Sequence, residues 1–170
     1  MALSAPQKFL AANNGIPTQT PAASVGGAAQ AYQIPALSAS GQLDQTMMPT
    51  GIGPDTAAIV ASEALVAGAL VNVWSNAGTP NARNADNTSI SKPATGFVLG
   101  AVASGANATV YMSGIINGLS GLTPGAQYFL GAAGGAVEAA PTAPGTLTQL
   151  VGTAISATQI QFSPGTQIAN

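Results

Sequence analysis

Cysteine and histidine are both absent from this chain of 170 residues. Without cysteine there can be no disulfide and no thiolate metal site. Histidine is the commonest general base and a frequent metal ligand, and the cysteine thiolate is a strong nucleophile, so the usual sources of catalysis are missing. We therefore expect a protein that is not an enzyme and that holds no cofactor and no metal ion.

Charged side chains are scarce as well, at 5% of the residues, whereas an average soluble domain has roughly a quarter. Only three of them are basic, so the chain lacks the positive patch that binds nucleic acids or anionic membranes, and we predict neither partner. Apolar residues make up 46% of the chain, and permanent interfaces are likewise apolar and poor in charge. We infer a folded chain with much of its surface against partners, copies of itself among them.

No segment is predicted to cross a membrane or to direct secretion. The most apolar run, residues 57–74, contains Ser62, Glu63 and Asn72, and a charge near the centre of a spanning helix costs about 3 kcal/mol. Residues 1–10 have neither the early positive charge nor the apolar core of a signal peptide. We therefore expect no leader there, and we predict strands in 57–74.

Residues 1–54 are predicted to form an extended N-terminal arm or linker, rich in proline and glycine. Pro17, Pro21, Pro35 and Pro49 recur in a background with no lasting periodicity. Proline lacks a backbone donor and pushes its predecessor towards extended conformations, so we expect at most one helical turn, at 4–10. Two interpretations stay open: a partly disordered tail, or an arm that folds when it binds another subunit.

Two short apolar clusters in this arm, at 32–37 and 47–49, are the candidate contact with another subunit. Burying their side chains would offset the entropic cost of ordering the arm. The candidate interface residues are Tyr32, Ile34, Leu37, Met47, Met48, Pro49 and Ile52.

Residues 55–170 are predicted to form an all-β domain, a small antiparallel sandwich or barrel. Short apolar runs recur there at intervals of roughly 8–12 residues with turn residues between them. The expected strands are 56–61, 70–74, one beginning at 82, 97–102, 108–112, 115–116, 127–130, 148–155 and 159–162. A helix over 56–70 is the alternative for the first of these, but Gly68 and the β-branched run after it favour strands.

The central prediction is a hairpin in which 97–102 pairs with 108–112 around a turn at 104–107. A second turn is predicted at Pro124-Gly125, a type II signal with glycine at the positive φ. The glycine-rich stretch 131–135 resembles a phosphate loop only in composition. It lacks a lysine and a following helix, so a plain turn is the better interpretation.

Few residues suggest a ligand site. Asp86 lies close to Asn84 and Asn87 and could help to hold Ca²⁺, although an ordinary Asx-rich turn is favoured. The five carboxylates are scattered, so a glycosidase-like pair would need to be assembled by folding.

Three aromatic residues could form a platform for stacking sugars, but aromatic residues in strand-like runs more often belong to a core or an interface. They are Trp74, Tyr111 and Tyr128.

Several turn-and-strand motifs between residues 41 and 162 resemble structural proteins of tailed bacteriophages, which include capsid decoration (cement) proteins and head or tail fibre subunits. The motifs are LD at 43–44, MPTGIGPDT at 48–56, ASEALVAGALVNV at 61–73, GFVLGAV at 96–102, GLTPG at 121–125, YFL at 128–130 and VGTAISAT at 151–158. The resemblance implies a small β domain, commonly trimeric, that is made in the host cytoplasm and mounted on the capsid surface of the virion. It brings no catalytic residues.

The resemblance and the composition together predict a capsid decoration subunit. Its expected partners are copies of itself, as a homotrimer, and the major capsid protein, and its expected action is to stabilise the shell by binding it. Two alternatives stay open. One is a head or tail fibre or adhesin subunit that binds host glycans around Trp74 or Tyr128, and the other is a small hydrolase that uses the scattered carboxylates.

Overall fold

The computed structural model describes residues 8–13, 16–21, 34, 35, 37, 43 and 55–170. Every regular element among these residues is a β-strand, which confirms the all-β prediction. No helix in this described part has the length and apolarity to cross a membrane. The chain divides into two compact units, Met1–Gly53 and Pro54–Asn170.

The first unit contains a hairpin that the sequence analysis did not predict. Strand β1 (Lys8–Asn13) pairs antiparallel with β2 (Ile16–Pro21), with Lys8 opposite Pro21. Residues 8–10 are therefore in a strand, so of the two options for 4–10, one helical turn or none, a turn that includes these residues is excluded. The Asn-Gly sequence at 14–15 is a strong hairpin signal, and proline is tolerated here because each strand of a two-stranded sheet has a free edge.

Five strands of the second unit close into a barrel. They are β3 (Thr56–Ala61), β4 (Leu70–Asn76), β5 (Thr79–Asn84), β6 (Gly96–Phe97) and β7 (Asn107–Tyr111), in the order β3-β5-β4-β6-β7. Only the β3–β5 pairing is parallel. Strands at 56–61 and 70–76 confirm the strand prediction for this region, and the helix over 56–70 is wrong. Small and β-branched side chains such as Ala61, Val71 and Val110 fill the interior.

The remaining strands form a six-stranded sheet. They are β8 (Gly114–Ile116), β9 (Gln127–Leu130), β10 (Ala136–Val137), β11 (Leu147–Ser156), β12 (Gln159–Phe162) and β13 (Gln167–Ala169). Five follow the order β10-β9-β11-β12-β8, and β13 pairs with the start of β11. The predicted strand at 127–130 and the final hairpin are confirmed. A second core lies along the inner face of this sheet, where the Phe97 ring stacks on Tyr111 and meets the edge of Phe162, each at 5.4 Å between centroids.

The predicted central hairpin forms only in part. The strand β6 is two residues long, and its one pair with β7 is Phe97 opposite Tyr111. Beyond it the chain leaves β7 and bonds instead to the segment before β4: the N–H of Val98 donates to the carbonyl of Ala69 at 3.0 Å, and Val102 bridges Leu65. The predicted strand 97–102 is therefore wrong beyond Phe97, because those backbone groups have closer partners elsewhere.

The turn predicted at Pro124-Gly125 is confirmed, with Gly125 at φ 85°.

Candidate functional site

The described residues of the arm expose large apolar side chains. Ile34 is 52% exposed and Leu37 is 62% exposed. The other candidate interface residues lie outside the described residues, namely Tyr32, Met47, Met48, Pro49 and Ile52. Two apolar side chains of this size with half or more of their surface uncovered are available for contact with a partner.

The three aromatic residues do not assemble into a sugar platform. Tyr128 is 4% exposed and belongs to the core beneath the six-stranded sheet. Its hydroxyl accepts a hydrogen bond from the N–H of Thr123 at 3.0 Å and donates to Glu138 at 3.4 Å. Tyr111 is stacked on Phe97. The core interpretation is therefore confirmed for Tyr128, and Trp74 is left without aromatic neighbours from this set.

Trp74 is half-buried on β4 and carries an arginine on one face of its ring. The guanidinium carbon of Arg83 lies 4.7 Å from the ring centroid, within range of a cation–π interaction. The Arg83 Nε donates to the side-chain oxygen of Asn72 at 2.9 Å, and the Asn72 amide donates to the carbonyl of Pro93 at 2.8 Å. One of the chain's three basic residues is thus fixed against the protein's own tryptophan.

The carboxylates of Glu63, Asp86 and Glu138 have separate structural partners. Glu63 accepts hydrogen bonds from the backbone and the side-chain amide of Asn84, at 2.7 and 2.8 Å. Glu138 accepts from the hydroxyl of Thr123 at 3.2 Å and from Tyr128. No two carboxylates share a partner in the contacts between described residues, and Asp44 lies outside them. The glycosidase-like pair therefore finds no support in this part of the chain.

Asp86 forms the Asx turn that the sequence favoured. Its Oδ1 accepts from the N–H and the hydroxyl of Thr88, at 2.9 and 2.7 Å. The side chain of Asn84 bonds to Glu63 instead. Within residues 55–170 and the other described positions, no group of three or more His, Cys, Asp or Glu could hold a metal ion.

The Asp86 turn has a testable pH dependence. Partial burial raises the pKa of its carboxyl, but hydrogen bonds from Thr88 and from the backbone of Ala133, with the charge of Lys92, outweigh burial and bring the pKa below its ordinary 3.8. A carboxyl with a lowered folded pKa stabilises the fold above its unfolded pKa, and this contribution is lost as the pH falls through the folded value.

We expect Asp86→Asn to lower Tm at neutral pH, by an amount equivalent to less than about 1 kcal/mol because the group is largely solvated. Thermal melts of both proteins at pH values well below 3.8 should then coincide, since the wild-type carboxyl is protonated there as well. A gap in Tm that is undiminished in acid would show that the charge is not responsible.

The stretch 131–135 is a turn, as predicted, and it also connects the two sheets of the second unit. The N–H of Gly134 donates to the carbonyl of Ala85 at 2.6 Å, and its carbonyl accepts from the N–H of Leu70 at 2.8 Å. Gly134 has φ 78°, and a Cβ there would lie 3.0 Å from the Leu70 carbonyl. The sequence signal for this junction is the pair Gly134-Gly135. Only the fold shows that the backbone of Leu70 comes too close for a side chain at Gly134.

An open groove of about 270 Å³ runs between residues 98–102 and β7. The groove is present because residues 98–102 do not pair with β7. Leu99, Val102 and Tyr111 are among its walls, and no charged side chain lines it. The groove offers apolar contact but no carboxylate or basic group for catalysis.

Comparison with known proteins gives similarity at the level of solved structures. No family model matches the chain, and no curated protein matches it. Among solved structures it is similar to the head fiber gp8.5 N base of bacteriophage phi29, with a TM-score of 0.45 and 15% sequence identity, over 68% of this chain and 92% of that one. At this level of similarity, function must be sought in the chain's own residues.

Proposed function

We propose that the chain is a structural protein of a bacteriophage particle, a capsid decoration subunit that binds the outer shell as an oligomer. The observation that carries the proposal is the exposure of Ile34 and Leu37 in the arm, at 52% and 62%. The motifs between residues 41 and 162 that resemble tailed-phage structural proteins support it. The carboxylates of Glu63, Asp86 and Glu138 add to this support, because they bond to groups that hold the fold.

The mechanism that follows is mechanical. A subunit that binds the assembled lattice and not the free capsid protein stabilises the lattice by mass action, by about 2.7 kcal/mol per site when its free concentration is roughly a hundred times Kd. An oligomer strengthens the attachment further, because once one arm is bound the others bind at high effective concentration. In this proposal the arm makes the contact and residues 56–162 form the projecting body.

The arm is tested by replacing Ile34 and Leu37 together with aspartate. About half of each side chain remains to be buried, so the two together would contribute about 2 kcal/mol to the free energy of binding. An unpaired carboxylate in the buried contact lowers the affinity further, because its charge must leave water. We expect affinity for shells of the same phage that lack this protein to fall about a hundredfold or more, measured by co-sedimentation.

The matched control is Leu10→Asp, because Leu10 is an equally apolar side chain of the same unit, 72% exposed, and lies outside the candidate interface. It should sediment with the shells as the wild type does. A chain without residues 1–54 should fail to attach yet keep its β-type circular dichroism spectrum. Normal attachment of either the double variant or the truncated chain would contradict the proposed role of the arm.

The alternative of a glycan-binding fibre or adhesin subunit retains only Trp74 as a described aromatic candidate, with one ring face already against Arg83. Binding to a glycan array that disappears with Trp74→Ala, together with no attachment to shells, would replace the decoration proposal with this one.

A further inference from the structure

The six-stranded sheet presents an outer face whose members follow from the strand register. Directly paired residues of neighbouring strands lie on the same face of a sheet. The register therefore places one row of four side chains across β9, β11, β12 and β8. The row is Gln127, Thr153, Gln161 and Ile115. A second row crosses β10, β9 and β11 and consists of Val137, Phe129 and Leu150.

We call these two rows, together with Ile155 of β11 and Ile168 of β13, the outer face. An antiparallel sheet with one face in water normally alternates apolar residues inside with polar residues outside. Here Ile115 and Val137 are each 38% exposed, Ile155 is 49% exposed and Ile168 is 58% exposed. These apolar side chains share the face with uncharged polar ones, and exposed apolar surface of this kind is found at interaction surfaces.

The outer face carries no charge. None of the six strands contains a charged residue, and from residue 93 to 170 the sequence has only Glu138. That carboxylate is bonded to Thr123 and Tyr128. The other charged residues of this unit, Asp55, Glu63, Arg83, Asp86 and Lys92, all precede the sheet in sequence. The lack of charge is thus concentrated on one part of the molecule.

The edges of the sheet are poor sites for association. A sheet edge attracts another chain when it is long and flat, and proteins protect themselves with short edge strands. Here the two end strands, β8 and β10, have three and two residues. Association through this sheet would therefore use its face.

The polar groups of the outer face suit a second copy of the same chain. In a symmetric oligomer the partners bring the same residues, so an uncharged surface meets an uncharged surface and no charge is buried without a partner. Glutamine and threonine both donate and accept hydrogen bonds and can therefore pair with their own kind. A foreign partner selected by charge would find nothing complementary here.

From these observations we infer that the outer face is the surface through which copies of this chain associate. The inference rests on the oligomeric part of the proposed function and does not depend on attachment to the shell. It differs from that proposal in assigning the contact between copies to the β body and not to the arm.

The test uses the full chain with lysines at two paired positions, Thr153→Lys with Gln161→Lys. Two new charges at a face that meets its own copy would be forced together out of water, and we expect the dissociation constant between copies to rise about a hundredfold or more. Light scattering over a concentration series measures it. Thr79→Lys, at an exposed position of β5 in the barrel, is the matched control and should associate as the wild type does. Circular dichroism establishes that each variant is folded.

A second measurement exploits the absence of cysteine, because a single introduced thiol can be labelled without interference. Thr153→Cys should react slowly with a maleimide at concentrations where the chain is associated and quickly on dilution, whereas Thr79→Cys should react quickly at both. A wild type that stays monomeric at every concentration would overturn the inference. A lysine double variant whose copies associate normally would also overturn it, even if that variant no longer attached to shells. If the arm variants attach to shells normally while the lysine variant dissociates, the proposed role of the arm would be wrong and this interface would stand.

Discussion

Replacing Gly152 with alanine is expected to lower the free energy of unfolding of the second unit by about 3 kcal/mol or more. A Cβ at this position would be driven onto the carbonyl oxygen of Gln161 and would come within 2.9 Å of the Ile160 side chain. Backbone atoms of β12 cannot rotate away as the end of a long side chain can, so the two central strands of the sheet must separate. Urea denaturation followed by circular dichroism measures the loss.

The control for this prediction is Gly100→Ala, because a Cβ there meets nothing within 4 Å. Its stability should stay within about 0.5 kcal/mol of the wild type, as expected for an exposed site without special contacts. If Gly152→Ala proved as stable as Gly100→Ala, the close approach of β11 and β12 would be wrong.

Gly152 also explains why the outer face could not be predicted from the sequence. The pairing of β11 with β9 shifts register between Leu150 and Gly152, so an extra residue is accommodated there as a β-bulge. Val151 and Gly152 are consequently both buried, and the alternation of sides is reset so that Leu150 and Thr153 face outwards together. The strand itself was predictable from its apolar residues, but the side that each residue faces depends on this bulge.

Local signals predicted those parts of the fold that local chemistry determines. The turn at Pro124-Gly125 and the strand at 127–130 follow from φ preferences and from β-branched or aromatic runs. The strands β10 and β13 were missed because each has only two or three residues with a single β-branched one among them, whereas the equally short β8 has two adjacent isoleucines. The strand expected at 97–102 was shortened by competition, since Val98 and Val102 bond to Ala69 and Leu65, more than 25 residues earlier in the sequence.

The candidate site could be predicted only to the level of residue type. The apolar residues of the arm could be selected from the sequence, but sequence alone cannot say which of them remain uncovered, as Ile34 and Leu37 do. It also could not separate Trp74, which lies against Arg83, from Tyr128, which is enclosed by the core. Both stand in similar apolar runs, and the difference between them arises from packing.

Replacing Gln149 with leucine is the second change with a large expected effect. Gln149 is 2% exposed, and its amide bonds twice to Ala94: its oxygen accepts from the Ala94 N–H at 2.8 Å, and its nitrogen donates to the Ala94 carbonyl at 3.0 Å. Leucine has a similar volume but can make neither bond, and Ala94 is itself 2% exposed. Each buried backbone group left without a partner costs about 1–3 kcal/mol, so we expect a loss of about 2–5 kcal/mol in urea denaturation.

Two further variants separate hydrogen bonding from packing at this position. Gln167→Leu makes the same replacement at the exposed residue of β13 that pairs with Gln149, and it should change the free energy of unfolding little. Gln149→Glu keeps the shape, but its ionised carboxylate cannot donate to the Ala94 carbonyl and is buried as a charge, so this variant should be least stable at neutral pH and should recover as acid protonates it. A wild-type stability for Gln149→Leu, or a Gln149→Glu variant indifferent to pH, would contradict the role of the two hydrogen bonds.

Loss of the Gln149 hydrogen bonds should also change the environment of Trp74. Ala94 follows Pro93, whose carbonyl accepts from Asn72, and Asn72 in turn holds Arg83 against the tryptophan ring. Release of residues 93–94 from β11 would therefore loosen the arginine as well. Because the chain has a single tryptophan, its fluorescence reports on this place alone, and we expect the emission of folded Gln149→Leu to shift to longer wavelength while that of Gln167→Leu stays unchanged. An unshifted spectrum in a destabilised variant would mean that the barrel holds Arg83 without help from the six-stranded sheet.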